Sequence, residues 1–275
     1  MGIGRVTRST HPEIAVGGRY FGFYPMADHH VVAAVPTVQG FVDTAEHRAT
    51  HAATYRTFSL VDNDPAYHPA TEEHYLIVRG LFITSFLIDD FLAEHDDFGA
   101  TTVLITGASS RTSIALAHRL RMRGAVHVVG LTSPRHAAFV QSVGLYDSVV
   151  AYGDIEGLDA AAPAVIVDMA GSADVLSRAH HHFGDRLAYS CRVGATHWEA
   201  GGPTGDLPGA PPTLFFAPTQ SAKRSREWGR AEFDHRVATA LADFIDHAQG
   251  WMVLERSEGI KAVEAVYQAT LAGEN

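Results

Sequence analysis

A single cysteine, Cys191, in 275 residues excludes an internal disulfide and a cysteine-rich zinc site. It fits a reducing, cytoplasmic compartment. No run of about eighteen apolar residues occurs, so no membrane span is expected. Met1 to Thr10 is polar and glycine-rich, with no apolar centre, and does not read as a signal peptide. The formal net charge of −10 argues against nucleic-acid binding. The 17 histidines invite a metal, but no HExxH and no zinc-finger spacing is present. His180, His181 and His182 are consecutive and cannot share one helical face, and His29 and His30 are adjacent. Only His47 and His51 have helical i, i+4 spacing. Exposed histidine is the favoured reading, with no metal expected.

What is present is an ordinary globular composition, 46% hydrophobic and 19% charged. The length allows a large core and one or two domains.

Acid is also missing locally. From Phe98 to Tyr146 there is no Asp or Glu, while Arg111, Arg119, Arg121, Arg123 and Arg135 fall inside. This island contains the stretch around which the chain is organised. Val103, Leu104 and Ile105 suit a strand buried on both faces. Thr106 to Ser110 is a small-residue turn around Gly107. Thr112 to Arg123 carries Ile114, Ala117, Leu120 and Met122 at roughly helical spacing. Gly124 closes that helix, and Ala125 to Leu131 is a second buried strand. The order is one βαβ unit, whose turn meets a helix N-terminus suited to an anion.

The dinucleotide fingerprint G-x-G-x-x-G lacks its glycines here, since Ala108, Ser110 and Ser113 hold the three positions. All three are small, so close approach of a pyrophosphate stays open. Arg111 lies in the turn. NAD-specific folds place an acid about twenty positions on, to bind the ribose 2′-hydroxyl. This chain has Thr132, Ser133 and Arg135 instead, which suits a 2′-phosphate and favours NADPH. The alternative is a solvated basic helix face, which accounts for Arg119 or Arg123.

Met1 to Pro36 reads as β structure, with Val16-Gly17-Gly18-Arg19 as a turn, then Tyr20 to Tyr24 and His30 to Ala33 as strands. Asp43 to Arg56 is a possible helix with a weak face of Ala45, Ala49, Ala52 and Ala53. Tyr75 to Ala93 is a strongly apolar helix, with Thr84 and Ser85 bonding back to its own carbonyls and Asp89 and Asp90 as a polar edge. After the nucleotide unit come strands at Asp147 to Ala151, Ala164 to Asp168, Leu187 to Val193 and Leu214 to Phe216. Helices lie between, at Pro134 to Ser142 and Asp174 to Phe183. This alternation predicts a doubly wound, Rossmann-like parallel sheet. Its crevice is expected to gather residues 107–112, 132–135, 168–171 and 194–197. Gln220 to Arg230 is a second basic patch, read equally as a phosphate cover or a solvated turn. Helices are expected at Glu232 to Gln249 and Ile260 to Leu271, with a strand at Trp251 to Leu254 between them.

The order of parts resembles the medium-chain dehydrogenase/reductase superfamily, and most its zinc-independent quinone-reductase branch. Val16 to Phe23 is similar to the "G-D-R-V-x-G" barrel turn, Leu81 to Phe86 to the "T-A-Y" helix, and Val103 to Ala117 to the "V-L-V-x-G-A-A-G-G-V-G" turn. Gly130 to Arg135 resembles the strand that reads the NADP phosphate, and Val167 to Gly171 the fourth strand of the cofactor domain. A bacterial and fungal group of unknown function is closer still. It shares the patterns at Phe21 to Met26, Ile83 to Leu92, Gly107 to Thr112, Val128 to Ser133 and Tyr189 to Trp198. T-G-A-S-S also resembles short-chain dehydrogenases, but those need a Tyr four residues before a Lys. The positions four before Lys223 and Lys261 are Thr219 and Ser257, which rejects that rival.

The resemblance implies an α/β fold: a Rossmann-like sheet with a partial GroES-like β-barrel lobe. Residues 1–80 would form the partial lobe, 81–218 the nucleotide-binding domain, and 219–275 helices returning to the first lobe. Relative to that superfamily the first barrel strands have no counterpart before Met1, so the chain reads as N-terminally truncated. The implied activity is NADPH-dependent, metal-independent reduction of a carbonyl or conjugated alkene. Ser109, Ser110, Arg111 and Thr112 would hold the pyrophosphate, with Ala108 a cofactor-binding residue of the same turn, and Thr132, Ser133 and Arg135 would hold the 2′-phosphate. Met169, Ala170, Gly194 and Ala195 would line the nicotinamide, with Asp168 among the cofactor-binding residues. Thr84 would polarise the carboxamide or substrate, and His197 would donate a proton. The partner is a small-molecule substrate, with a homodimer possible. The alternatives are a non-catalytic nucleotide-binding or scaffold protein that kept the fold, and an acyl-CoA bound at the basic turn.

Overall fold

The computed structural model describes residues 1–193 and 207–273. Five strands of the N-terminal part pair antiparallel: β1 (Gly2–Arg5), β2 (Arg19–Gly22), β3 (Ala34–Thr37), β4 (Gly40–Asp43) and β5 (Thr57–Leu60). Their order is β1-β2-β5-β4-β3. This antiparallel sheet stands where the barrel lobe was expected. It closes on aromatic packing, since Phe41 stacks on Phe58 at 4.9 Å between centroids and Tyr20 tilts against Phe41 at 4.8 Å. Gly40 is required at the β3–β4 corner, because a Cβ there would meet the Phe58 carbonyl oxygen at 2.1 Å.

The helix expected over Asp43 to Arg56 does not form. Ala49, Ala52 and Ala53 are exposed, so their face buries nothing. Pairing of Phe41 with Phe58 fixes β4 against β5 and leaves two 3₁₀ turns, Glu46–Arg48 and Ala53–Tyr55, to span the gap. The strand expected at His30 to Ala33 starts instead at Ala34.

The second sheet is parallel. It contains β6 (Thr102–Thr106), β7 (His127–Thr132), β8 (Ser148–Ala151), β9 (Ala164–Asp168), β10 (Leu187–Arg192) and β11 (Pro212–Leu214). The order β11-β10-β9-β6-β7-β8 is that of a Rossmann fold, with its switch point between β6 and β9. Val103, Leu104, Ile105, Val165, Ile166 and Val167 are all fully buried, as strands covered on both faces must be. The helices are α1 (Glu72–Glu94), α2 (Arg111–Arg123), α3 (Ala137–Val143), α4 (Ala173–Phe183), α5 (Ala217–Glu227), α6 (Arg230–Ala248) and α7 (Ile260–Leu271). Among the described residues no helix is long and apolar enough to cross a membrane.

Helix α1 packs against α2, α5 and α6. Phe82 stacks on Phe244 of α6 at 5.6 Å, and Phe86 meets Phe233 edge-on at 6.4 Å. Its polar residues are not an edge. Asp89 is buried and pairs with Arg119 at 3.3 Å and Arg123 at 3.0 Å. Arg123 also forks onto Asp97, at 2.5 and 2.6 Å. The arginines assigned to a solvated face therefore neutralise acids from outside their own stretch. Asp96, Asp97 and Phe98 all adopt left-handed φ, at 50°, 49° and 54°. That conformation costs an L-residue about 1–2 kcal/mol. The Arg123 fork holds it in place.

The basic patch at Gln220 to Arg230 is neither a phosphate cover nor a turn. It is mostly α5, where Arg224 binds Asp90 at 2.6 Å and Glu94 at 3.1 Å, and Lys223 pairs with Glu94. Trp251 to Leu254 is not a strand, because the N–H groups of Trp251 and Met252 bond to Ala248 and wind out of α6. His180 is not exposed: it is fully buried, with Nδ1 at 2.8 Å from the Pro208 carbonyl and Nε2 at 2.9 Å from Ser190 Oγ.

Candidate functional site

The carboxyl ends of β6, β7, β8 and β9 converge at the switch point. After β6 the chain turns at Gly107, whose φ of 60° suits glycine. A Cβ there would meet nothing closer than 3.7 Å, so the requirement is conformational rather than spatial. The Gly107 N–H donates to the Tyr152 hydroxyl at 3.0 Å. Ala108 is fully buried, and its carbonyl accepts from Tyr146 at 2.8 Å. Gly130 of β7 makes room for that ring, since a Cβ there would lie 2.8 Å from Tyr146.

The serines that replace fingerprint glycines have structural partners. Ser110 is the N-cap of α2, and its Oγ accepts from the Ser113 N–H at 3.2 Å. The same hydroxyl donates to Ser113 Oγ at 2.8 Å. Ser113 Oγ in turn donates to the Thr106 carbonyl at 3.1 Å. Helix and strand thus stay close, joined by hydrogen bonds where the usual motif has bare glycine. The Ser110 side chain is committed to the cap, and its backbone N–H donates to the Gly107 carbonyl at 2.8 Å. The N–H groups of Arg111 and Thr112 fall in the first turn, where a helix offers its own donors no acceptor. Arg111 is exposed, and no acid lies in that first turn.

Beyond β7, Thr132 is buried at 1% exposure, whereas Ser133 is half-buried. Ser133 Oγ and Ser109 Oγ each lie 3.3 Å from His136 Nδ1. Arg135 is exposed; its Nε donates to His136 Nε2 at 3.2 Å and its Nη2 to the Gly273 carbonyl at 2.9 Å. Serine hydroxyls from two strand ends and a guanidinium therefore share one corner.

Beyond β9, Asp168 is 1% exposed. Its Oδ1 accepts from Thr106 Oγ1 at 2.7 Å and from the Gly171 N–H at 3.0 Å. Its Oδ2 is buried and has no hydrogen-bond partner among the described residues. Thr106 Oγ1 also accepts from the N–H groups of Met169 and Ala170, at 2.9 and 3.0 Å. One hydroxyl thus fixes the turn after β9 against β6. Nearby, burial and then the Asp168 charge push the Cys191 thiol up to about 12. Burial raises the Tyr152 hydroxyl, the Gly107 N–H opposes this, and the Asp168 charge adds to it.

Thr84 is half-buried on α1, and among the described residues the hydroxyl joining α1 to α2 is its neighbour's. Ser85 Oγ donates to the Thr112 carbonyl at 2.7 Å, across to α2 rather than back along its own helix. Gly194, Ala195 and His197 lie outside the described residues. Among the described residues no three His, Cys, Asp or Glu side chains are grouped to hold a metal ion. Tyr152, Thr106 and His136 were missed by motif reading. Thr106 and His136 adjoin residues that were singled out, whereas Tyr152 arrives from a loop 45 residues away.

A family model described as "Protein of unknown function (DUF2855)" matches residues 1–275. No curated protein matches the chain. Solved structures with the same fold include the yhdH oxidoreductase of Salmonella enterica in complex with NADP, at 14% identity and TM-score 0.52. That match covers 99% of this chain and 77% of the other. A putative NADPH:quinone reductase of Mesorhizobium loti matches at 10% identity and TM-score 0.51, covering 91% and 72%. The Bacillus subtilis protein yhfP with NAD bound matches at 14% and 0.51, covering 98% and 77%. At these identities the likeness is one of fold.

Proposed function

The chain belongs to the family described as protein of unknown function DUF2855, and within it we propose a nicotinamide-nucleotide-dependent oxidoreductase that favours NADPH. Its substrate would be a small carbonyl compound or conjugated alkene, reduced without a metal ion. The observation that carries this reading is the corner formed by Ser109, Ser133 and Arg135 beside the first turn of α2. The fit to a dinucleotide is chemical: hydrogen-bond donors converge where the fold brings a helix N-terminus to the sheet's switch point. The buried Asp168 Oδ2 supplies an acceptor that has no partner among the described residues. The solved relatives of this fold that carry NADP or NAD agree with the choice of ligand class.

Arg111 and Thr112 would bind the pyrophosphate through backbone N–H groups. Ser133 and Arg135 would hold the 2′-phosphate. Asp168, Met169 and Ala170 would form the wall on the β9 side, held in place by Thr106. Gly194 and Ala195 are proposed for the nicotinamide on sequence grounds, as are Thr84 for polarising the substrate and His197 for donating a proton. The bound nicotinamide would supply the hydride, while the protein supplies orientation and electrostatics.

Calorimetry with NADPH and NADH, on the wild type and Arg135→Ala, tests the reading. Micromolar NADPH binding, weaker NADH binding and loss of the difference in Arg135→Ala are expected. Absence of binding by either nucleotide would remove the oxidoreductase reading. Binding without turnover over a panel of quinones, enones and aldehydes would leave a non-catalytic nucleotide-binding protein.

A further inference from the structure

His136 sits between the residues proposed to hold the 2′-phosphate, and its hydrogen bonds determine where their protons point. The Arg135 guanidinium is protonated at all working pH, so its Nε can only donate. At 3.2 Å the acceptor is His136 Nε2. An imidazole that accepts at Nε2 is neutral and carries its proton on Nδ1. That Nδ1–H lies 3.3 Å from both Ser109 Oγ and Ser133 Oγ. One donor is therefore shared by two hydroxyl oxygens, one from the β6 turn and one from the end of β7.

Each serine oxygen that accepts from His136 keeps its own proton for another partner. Among the described residues neither hydroxyl donates to a protein acceptor. Two O–H donors thus stand ready at one corner, beside guanidinium N–H groups of Arg135 that neither His136 nor Gly273 uses. Each hydroxyl keeps one lone pair, but with the free guanidinium N–H groups donors outnumber acceptors at this corner, which matches a group made only of acceptors. A phosphomonoester dianion is such a group, with three strongly accepting oxygens. A ribose hydroxyl offers a single neutral oxygen with two lone pairs, and would leave part of the cluster unpaired.

From this arrangement we infer that His136 is the positioning residue that makes the corner selective for a ribose 2′-phosphate over a 2′-hydroxyl. It does so by holding Ser109 and Ser133 as donors and by aligning Arg135. This rests on the nucleotide reading proposed above and adds the source of its specificity. The effect requires the Nδ1–H position, which an asparagine amide reproduces and an alanine does not.

The test uses the full chain and two probes that differ only at the 2′ position, adenosine 2′,5′-bisphosphate and 5′-AMP. Affinities are measured by calorimetry for the wild type, His136→Ala and His136→Asn, with thermal unfolding as the check on folding. A charge-assisted hydrogen bond contributes on the order of tenfold in affinity or more, so His136→Ala is expected to lower the bisphosphate/AMP preference by about tenfold. Binding of 5′-AMP is expected to stay as in the wild type, and His136→Asn to restore most of the preference. An unchanged preference in His136→Ala overturns the inference while leaving the nucleotide reading in place. Equal loss of both ligands in His136→Ala and His136→Asn also overturns it, since that is the signature of a purely structural residue. A wild type that does not distinguish the two probes removes the 2′-phosphate reading and this inference together. Should His136→Ala fail to fold, His136→Gln, whose amide reaches the Nε2 position instead, replaces it with the same expected loss.

Discussion

Replacing Arg123 by methionine removes the only side-chain partner of Asp97 among the described residues, a carboxylate buried to 5% exposure. Both Asp97 oxygens lose their donors, and Asp89 keeps only the 3.3 Å contact with Arg119. Breaking a buried pair from one side costs about 3–5 kcal/mol, because the remaining charge stays desolvated. This site has a partial outlet. Asp96, Asp97 and Phe98 are held at left-handed φ, and letting that segment open would recover about 1–2 kcal/mol for each residue that relaxes. Against this, opening breaks the stack of Phe98 on Tyr189, whose rings lie 4.1 Å apart and nearly parallel. The expected loss for Arg123→Met therefore lies near the low end, about 3 kcal/mol. Urea unfolding followed by circular dichroism measures it. Asp97→Asn in the same background should recover at least about 1 kcal/mol, since no buried charge then lacks a partner. A cost below about 1 kcal/mol for Arg123→Met, or strict additivity of the two substitutions, would refute the buried-pair reasoning.

His118 gives a pH dependence of known sign. Burial, then the nearby charges of His247 and Arg119, lower its pKa from 6.5 to about 4. The unfolded chain binds the proton first, so this contribution is fully present above about pH 6.5 and is lost as pH falls toward 4. At about 1.4 kcal/mol per unit it amounts to about 3 kcal/mol. Wild-type stability should fall more steeply between these pH values than that of His118→Gln, and parallel curves would contradict the assignment. Cys191, fully buried with its thiol pushed up to about 12, should resist a disulfide reagent at pH 8 in the native protein and react at once in denaturant. Fast native reaction would show that the core around β10 opens.

The sequence by itself determined the order of the parallel-sheet part. Val103 to Ile105 and Val165 to Val167 are runs that only strands covered on both faces bury, and helical spacing between them leaves little choice but βαβ. Those signals are local, so they can be read without knowing what packs on them. The corner at Ser133 and Arg135 was legible for the same reason, because a crevice follows from the fold and the residues flank its strand ends. What the tertiary structure alone decided was pairing. Arg119 and Arg123 look like a solvated face until Asp89 and Asp97 arrive from other elements. Ser110 and Ser113 look like damage to a glycine motif until their hydroxyls are seen to bond to each other and to Thr106. The alanines of 43–56 have a helical pattern, but only the stacking of Phe41 on Phe58 determines that this segment loops. Hydrogen bonds and ion pairs join residues far apart in the chain, so periodicity does not record them. Which nitrogen of His136 carries its proton belongs to this second kind, because a neighbouring guanidinium fixes it.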